Sequence, residues 1–306
     1  MSQATVYAPA SIGNVGPGFD VLGLAVEGLG DKITVTIIDE PESRIGTITG
    51  RDADLVPRRP RENCAAIAAL SVLRRVGDQR QVEVSIHREL PLAGGLGASA
   101  AASVGAALAT MYALGQKLST DLLLAAALDG EEQVAGRHLD NIAPSLLGGL
   151  CVCLSTTPPD VARVPIKGDW WLAIATPAFK LTTKKARGVL PSLVSQEDFV
   201  QQMAHTSALI TAFASGDHAL AMRALKDIYA EPRRAPLING FTDAKKAAVE
   251  AGALGCSISG AGPSIFALCS AQDIAQRAAH AMSQALEPLE SKTHVGRVDL
   301  TGARRV

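Results

Sequence analysis

The sequence is poor in aromatic residues, carries almost no net charge and contains no long apolar run. Phenylalanine, tyrosine and tryptophan make up 4% of its 306 residues, and the formal net charge at pH 7 is −1. A chain so close to neutral has no general attraction for nucleic acid or for an anionic membrane surface. Its apolar runs are broken well short of the roughly 20 residues that a membrane-spanning helix needs. We therefore expect neither nucleic acid nor a membrane as a partner.

Cysteine is also scarce. Five cysteines are present, and none belongs to a Cys-x-x-Cys pair. An odd number favours free thiols in a reducing compartment over a framework of disulfides. The first residues, MSQATVYAPAS, show no basic region followed by an apolar segment, so no secretion signal is expected. Together these features predict a cytoplasmic protein.

Hydrophobic residues are abundant, at 47% of the chain, and the length is sufficient for two domains. Alternation predicts strands at 33–38 and 81–87, and helical spacing predicts helices at 61–75, 99–114, 196–214 and 218–229. Strands and helices mix in both halves, which predicts the α+β class. Glycine-rich residues 12–26 predict a loop, and the TTPP stretch at 156–159 predicts a boundary between domains 1–160 and 161–306.

The segment PLAGGLGASAAAS, residues 91–103, joins a predicted strand to a predicted alanine-rich helix. The first backbone N–H groups of a helix have no partner within the helix, and its dipole favours negative charge there. Glycines let phosphate oxygens approach these groups because no Cβ is in the way. The pattern is not a Walker A loop, since no Lys-Ser or Lys-Thr pair follows. Alone, the segment fits a bare structural turn equally well.

Two further glycine-rich stretches support a phosphate-binding interpretation. GNVGPGFD begins at residue 13 and SGAGPSIFAL at residue 259, and with PLAGGLGASAA they resemble the three motifs of the GHMP small-molecule kinases. The stretches RHLDNIAPSLLGG, TTKKARGVLP and EPRRAPLINGF resemble segments of the homoserine kinases, a family within this superfamily. Six stretches in the family's order extend the resemblance over nearly the whole chain.

The resemblance implies both a fold and a reaction. The fold would comprise an N-terminal nucleotide-binding domain with a ribosomal-S5-like layout and a ferredoxin-like C-terminal domain. The reaction would be ATP-dependent phosphorylation of L-homoserine to O-phospho-L-homoserine, in threonine biosynthesis. The residues that would bind ATP are Asn63, Pro91, Leu92, Ala93, Gly94, Gly95, Leu96, Gly97, Ala98, Ser99, Ala100, Ser259, Gly260 and Gly262. For Asn63, a role at the helix start is an equal alternative.

The resemblance also implies a Mg²⁺ site formed by Ser99 and Glu131. One hydroxyl and one carboxylate suit Mg²⁺, which keeps several waters and takes few protein ligands. Glu132 is a near-equal candidate, because the sequence does not fix which face of the helix meets the cleft. The family usually has a serine where this chain has Ala98. We expect the backbone N–H at residue 98 to replace that hydroxyl, although loss of a main metal ligand would put activity in doubt.

A homoserine pocket needs groups for an ammonium, a carboxylate and a hydroxyl. Asp20 can hold the ammonium, Asn14 can bond the hydroxyl or the amine, and Arg187 and Arg234 can grip the carboxylate. By resemblance, further substrate contacts are Thr183, His138 and Asn141. The residues matched to catalysis are Asn141, Asp140 and Arg187; Asn141 would orient the hydroxyl, and whether Asp140 takes its proton stays open. Asp20 could instead stabilise a turn, and an isolated arginine is often a surface charge.

Three questions stay open at this level. Another GHMP kinase, such as a mevalonate or isoprenoid-precursor kinase, is an alternative, although its substrate would give Asp20 no ammonium to bind. A non-catalytic nucleotide-binding relative is a second alternative, favoured only by Ala98. Apolar edge strands leave a homodimer possible.

Overall fold

The structure is a computed structural model that describes residues 2–306. The strands are β1 (Gln3–Gly13), β2 (Leu22–Ile38), β3 (Arg44–Gly50), β4 (Gln81–Arg88), β5 (Leu150–Thr156), β6 (Pro159–Val164), β7 (Trp171–Pro177), β8 (Gly255–Ile258), β9 (Ile265–Cys269), β10 (Ser291–Arg297) and β11 (Arg304–Arg305). The α-helices are α1 (Cys64–Val76), α2 (Ala98–Ala113), α3 (Thr120–Glu132), α4 (Ile142–Leu147), α5 (Thr183–Gly188), α6 (Gln196–Ser215), α7 (His218–Ala224), α8 (Glu231–Arg234), α9 (Phe241–Glu250) and α10 (Gln272–Ala285). Helices and strands are interspersed in both halves, which confirms the α+β class.

The first sheet has the strand order β11-β1-β2-β4-β3, with β5 paired to β2 and β6 to β5. Strands β3 and β4 are parallel, and helix α1 lies between them in the chain. Helix α2 is buried along almost its whole length. Its alanines and Gly105 allow this, because a Cβ at Gly105 would lie 2.6 Å from Cδ1 of Ile33 in β2. The small side chains of α2 therefore bring its first turn close to the sheet.

The second sheet is antiparallel and has the order β10-β7-β9-β8. Helices separate β7 from β8 and β9 from β10, which gives the βαββαβ arrangement of a ferredoxin-like unit. Strands β8 and β9 are buried on both faces. The turn between them carries the SGAGPS stretch, so the second sheet presents this loop at one edge.

The two sheets share part of one hydrophobic core. Helices α6 and α7 follow β7 in the chain, yet Leu209, Ala212 and Phe213 pack in the core of the first sheet. Strand β11 also returns to the first sheet and pairs with β1. Strand β6 ends at Val164, so the first sheet extends slightly past residue 160. The division at residue 160 stays a prediction.

The TTPP stretch, where this division was predicted, forms the hairpin turn between β5 and β6, because the strands pair across it from Thr156 to Pro159. Two other local predictions differ from the structure. The loop predicted at 12–26 is shorter, since β1 runs to Gly13 and β2 begins at Leu22. The helix predicted at 218–229 ends at Ala224. Among residues 2–306, no helix is both long and apolar enough to cross a lipid bilayer.

Candidate active site

A cleft of about 230 Å³ lies where the glycine-rich segment, the start of α4 and the SGAGPS loop meet. Most of the residues predicted from the sequence line it. These are Asn14, Asp20, Pro91, Leu92, Ala93, Gly94, Gly95, Gly97, Ala98, Ser99, Glu131, His138, Asp140, Asn141, Thr183, Arg187, Arg234, Gly260 and Gly262. The structure therefore brings residues from six separate stretches of the sequence into one cavity.

The glycine-rich segment forms a loop whose backbone favours glycine. Ala93, Gly95 and Gly97 have φ angles of 53°, 81° and 65°, in the left-handed region. Gly97 precedes the first residue of α2, and no side chain caps this helix. The first N–H groups of α2 are therefore free of side-chain acceptors beside the cleft, as an anion-binding site requires.

The second half of the chain holds this loop in place. The carbonyl oxygens of Ala93, Gly94 and Gly95 accept hydrogen bonds from Leu181 N (3.2 Å), Ser264 N (3.1 Å) and Ser259 Oγ (2.6 Å). A Cβ at Gly95 would lie 2.5 Å from the backbone oxygen of Ser259. Only glycine allows the loop to lie this close to the SGAGPS turn.

Ser99 and Glu131 lie together at the start of α2. The Ser99 hydroxyl donates a hydrogen bond of 2.9 Å to Oε1 of Glu131. Glu131 is only 5% exposed, and burial raises its pKa to about 7, opposed by the Ser99 hydrogen bond. Glu132 instead lies on the surface, where Oε2 accepts a hydrogen bond from Arg137. Of the two adjacent acids, Glu131 is the one that faces the cleft.

This pair could hold a divalent cation. Oε2 of Glu131 is buried and has no hydrogen-bond partner. An unpartnered buried carboxylate oxygen is costly unless a cation or proton neutralises it. Within residues 2–306, no group of three histidine, cysteine or acidic side chains is arranged as a metal site. A single carboxylate and a hydroxyl beside a phosphate-binding loop fit Mg²⁺ best, because Mg²⁺ takes its other ligands from water and phosphate.

Asp140 and Asn141 lie at the start of α4. Asp140 is buried, and this burial, together with the nearby charge of Asp20, raises its pKa to about 7. The Asn141 amide accepts a hydrogen bond of 3.0 Å from the Ser11 hydroxyl. A Cβ at Gly13 would lie 2.5 Å from Oδ2 of Asp140, so glycine in β1 makes room for the carboxylate. This corner therefore combines a carboxyl of near-neutral pKa with an oriented amide.

Asp20 and Arg187 form a bidentate ion pair across the cleft. Nη1 of Arg187 donates to Oδ2 of Asp20 at 3.0 Å, and Nη2 donates to Oδ1 at 2.8 Å. Nδ1 of His138 lies 3.7 Å from Oδ1 of Asp20, and burial lowers the pKa of this histidine. The three residues predicted to contact the polar ends of a substrate thus lie side by side.

Asn14 and Arg234 support the cleft as well as lining it. The Asn14 amide donates to the Gly260 oxygen at 2.9 Å and accepts from the Asp20 N–H at 3.0 Å. Arg234 is 3% exposed and donates from Nε to the Ala186 oxygen at 3.1 Å and from Nη1 to the Gly260 oxygen at 2.9 Å. Both side chains therefore form hydrogen bonds with backbone groups of the protein itself. Their contacts with a substrate stay predictions.

Four predicted residues do not line the cleft. The Asn63 oxygen caps α1 by accepting from the N–H groups of Ala65 and Ala66, so the structure favours its helix-start role. Leu96 and Ala100 point into the hydrophobic core. The Ser259 hydroxyl is bonded to Gly95. A contact of these four with ATP stays a prediction.

Residues that were not predicted from the sequence also support the loops of the cleft. Oδ1 of Asp31 in β2 accepts from the N–H groups of Glu89 and Leu90, at 2.9 and 3.0 Å, just before the glycine-rich loop. Its side chain is fully buried, on the face that also buries Ile33. The sequence did contain a signal for this role, because Asp31 is an acid at a position where the alternation of β2 places apolar side chains.

Phe19 and Gln202 support the part of the cleft that contains Asp20 and Arg187, and neither was predicted from the sequence. The Phe19 ring lies 5.2 and 5.3 Å from the guanidinium carbons of Arg187 and Arg234. Nε2 of Gln202 in α6 donates to the Pro17 oxygen at 2.7 Å and to Oδ1 of Asp227 at 2.9 Å. Nothing in the local sequence marked Gln202, because its partners lie far away in the chain.

Comparisons with known proteins agree with this geometry. The family model of the GHMP kinases N terminal domain matches residues 63–149, and that of the GHMP kinases C terminal matches residues 209–288. Homoserine kinase of Chlorobium phaeobacteroides strain BS1 is 37% identical over 303 residues, covering 95% of this chain and 94% of that protein. Homoserine kinase of Arabidopsis thaliana is 39% identical, covering 98% of this chain and 84% of that protein.

A solved structure gives the same result. The crystal structure of homoserine kinase from Cytophaga hutchinsonii superimposes with a TM-score of 0.95 at 37% identity, covering 100% of this chain and 98% of that one. Identity at this level over almost the full length shows common family membership as well as a common fold. The chain belongs to the GHMP kinases and, within them, to the homoserine kinase family.

Proposed function

We propose that this phosphotransferase moves the γ-phosphoryl group of ATP to the hydroxyl of L-homoserine, giving O-phospho-L-homoserine and ADP. The observation that carries the proposal is the arrangement of one cleft. An uncapped helix start with Ser99 and Glu131 lines one part of it, and Asp20, Arg187 and Arg234 line another. A polyphosphate requires the first set of groups, and an alcohol that carries both an ammonium and a carboxylate requires the second.

The glycine-rich loop is the proposed triphosphate site. The N–H groups at the start of α2 lie beside left-handed Gly97, where phosphate oxygens can approach without meeting a Cβ. Ala98 lacks the hydroxyl usual in the family, and its backbone N–H can serve in its place. Phosphoryl transfer depends mainly on positioning and on charge stabilisation, so a fixed cradle of donors is a direct catalytic contribution.

Ser99 and Glu131 are the residues that would hold Mg²⁺. When bound, this ion neutralises charge on the phosphate oxygens and orients the group being transferred. The raised pKa of Glu131 follows from its burial, and a nearby cation would favour its ionised form.

Asp140 and Asn141 are proposed to receive the hydroxyl of the substrate. The Asn141 amide lies against the loop, since a Cβ at Gly97 would lie 3.0 Å from its Oδ1. The oxygen of the hydroxyl forms the new bond to the γ-phosphorus as the bond to the bridging oxygen of ADP breaks. A carboxyl of pKa about 7 is suited to accept the hydroxyl proton near neutral pH. Because the transition state is loose, orientation of the hydroxyl contributes as much as its deprotonation.

The opposite charges in the cleft favour homoserine over mevalonate-type alcohols. Asp20 supplies a carboxylate for an ammonium, and Arg187 and Arg234 supply guanidinium groups for a carboxylate. A substrate without an ammonium would leave Asp20 facing an uncharged group.

A coupled assay of ADP release tests the proposal. With L-homoserine, ATP and Mg²⁺, we expect turnover in the wild type, loss of turnover in Ser99→Ala, and wild-type turnover in the surface control Glu132→Gln. Mevalonate in place of homoserine should give no ADP above background. Wild-type turnover no higher than that of Ser99→Ala, or equal turnover of mevalonate, would reject the function.

A further inference from the structure

The ion pair between Asp20 and Arg187 joins two residues that the proposed function assigns to opposite ends of the substrate. Both Nη atoms of Arg187 donate to the carboxylate of Asp20, at 3.0 and 2.8 Å. This is the fork-to-fork geometry in which an arginine binds a substrate carboxylate. Without a substrate, Asp20 therefore occupies the position on Arg187 that the substrate's carboxylate would take.

Arg187 has no second accessible edge for a bidentate partner. The other edge of a guanidinium uses Nε, and Nε of Arg187 is buried with no hydrogen-bond partner. The Phe19 ring also lies against this guanidinium, 5.2 Å from its central carbon. A substrate carboxylate can therefore pair with both Nη atoms only after Asp20 has withdrawn.

The backbones around the pair are fixed, whereas the two side chains are accessible. The Asp20 N–H donates to the Asn14 side chain at 3.0 Å, and Arg234 donates to the oxygen of Ala186, next to Arg187. The side chains of Arg187 and Asp20 are 38% and 29% exposed. Separating the pair therefore requires only rotation of the two side chains.

We propose that L-homoserine enters by exchanging with this internal ion pair. The substrate ammonium pairs with the carboxylate of Asp20, and the substrate carboxylate accepts hydrogen bonds from both Nη atoms of Arg187. One ion pair therefore breaks and two form. This inference rests on the proposed function and adds to it the basis of substrate selection. Only a ligand that carries both charges replaces both halves of the pair.

An alcohol with a single charge has to break the pair and leaves one half unpartnered. The carboxylate-only analogue 4-hydroxybutyrate would free Asp20 without giving it an ammonium, and 3-aminopropan-1-ol would free Arg187 without giving it a carboxylate. Leaving one member of this half-exposed pair without its partner loses two charge-assisted hydrogen bonds, which water replaces only in part. An analogue with one charge therefore loses affinity in two ways. It lacks one contact with the protein, and it breaks the ion pair without giving both members a new partner.

The substitution Asp20→Asn separates exchange from a simple ammonium contact. Asparagine tolerates the left-handed backbone of this position, where φ is 57°. We expect the variant to raise KM for L-homoserine and to lower KM for 4-hydroxybutyrate roughly threefold to tenfold below the wild-type value. An unchanged KM for 4-hydroxybutyrate, or a higher one, contradicts exchange. The control Glu132→Gln should leave both KM values unchanged.

A crystal structure with L-homoserine and a non-hydrolysable ATP analogue provides the second test. We expect the distance between the Asp20 oxygens and the Nη atoms of Arg187 to open beyond 4 Å, with the substrate's two charges in between. Retention of the pair at its present distances, with homoserine bound, overturns the inference even if KM changes as expected. Wild-type turnover of L-homoserine is measured first, because its absence rejects the proposed function and not the ion-pair exchange alone.

Discussion

Replacing Gly95 by alanine tests whether the shape of the glycine-rich loop depends on contact with the second half of the chain. Gly95 has a φ of 81°, and a Cβ there would lie 2.5 Å from the Ser259 oxygen and 2.8 Å from the Gly262 oxygen. Both neighbours are backbone atoms, which cannot move aside as the end of a flexible side chain can. We therefore expect Gly95→Ala to displace the loop or the SGAGPS turn.

The magnitude has two parts. A left-handed backbone costs an alanine roughly 1–2 kcal/mol relative to glycine, and forcing an extra carbon into a packed contact costs about 1–3 kcal/mol more. The free energy of unfolding should therefore fall by about 2–5 kcal/mol. Because small displacements of the groups that position a substrate weaken its binding, KM for ATP should also rise roughly tenfold or more.

Gly77 provides a matched control. Its φ is 76°, close to that of Gly95, but no atom lies within 4 Å of a Cβ built there. Gly77→Ala should therefore cost only the backbone part, roughly 1–2 kcal/mol, and leave KM for ATP unchanged. Urea unfolding and ADP-release kinetics measure both quantities. If Gly95→Ala is no more destabilising than Gly77→Ala, the contact between the two halves does not shape the loop.

Three further predictions concern the cleft. Glu131→Gln should lower kcat roughly 100-fold over a series of Mg²⁺ concentrations, whereas Glu132→Gln should change it less than about twofold; equal effects would remove Glu131 from the metal site. Burial raises the pKa of Asp140 from 3.8 to about 7, so between about pH 4 and pH 7 the native state binds more protons than the unfolded chain. The free energy of unfolding therefore falls as pH rises through this range. Urea unfolding at pH 5 and pH 8 should show that Asp140→Asn removes on the order of 3 kcal/mol of this fall, and an unchanged fall would contradict the raised pKa. Gln202→Ala should raise KM for homoserine roughly tenfold and leave KM for ATP unchanged, since its side chain bonds Pro17, in the loop that carries Asp20, and Asp227, and does not contact the glycine-rich loop. The exposed neighbour Gln201→Ala should change neither, and a parallel rise in both KM values would contradict this role.

The conformation of the glycine-rich loop could be predicted from the sequence because its requirements are local. Close approach of an anion to backbone N–H groups needs residues without a Cβ, and Gly95 and Gly97 meet this need within a few positions. The same locality allowed a helix-start role to be given as one of two alternatives for Asn63, since a helix cap depends on the next three residues. The resemblance of six stretches to one family then placed the distant residues in a single cleft.

Other features depend on packing between distant parts of the chain. The choice of Glu131 over Glu132 depends on how α3 rotates against α2, which the sequence of α3 does not fix. Asp20 and Arg187 pair across 167 positions, so each was predicted as a substrate contact and neither as the other's partner. The end of the helix at Ala224 was missed because no glycine or proline follows directly to mark it.

The dependence of three loop carbonyls on Leu181, Ser259 and Ser264 has a consequence for modularity. A fragment that stopped after β6 would retain most of the first sheet, but the acceptors of residues 93–95 would then face water. The shape of the proposed triphosphate site therefore depends on both halves of the chain. A chimera of two relatives would have to take residues 181, 259 and 264 from the same parent as the loop that they support, although they lie far from it in the sequence.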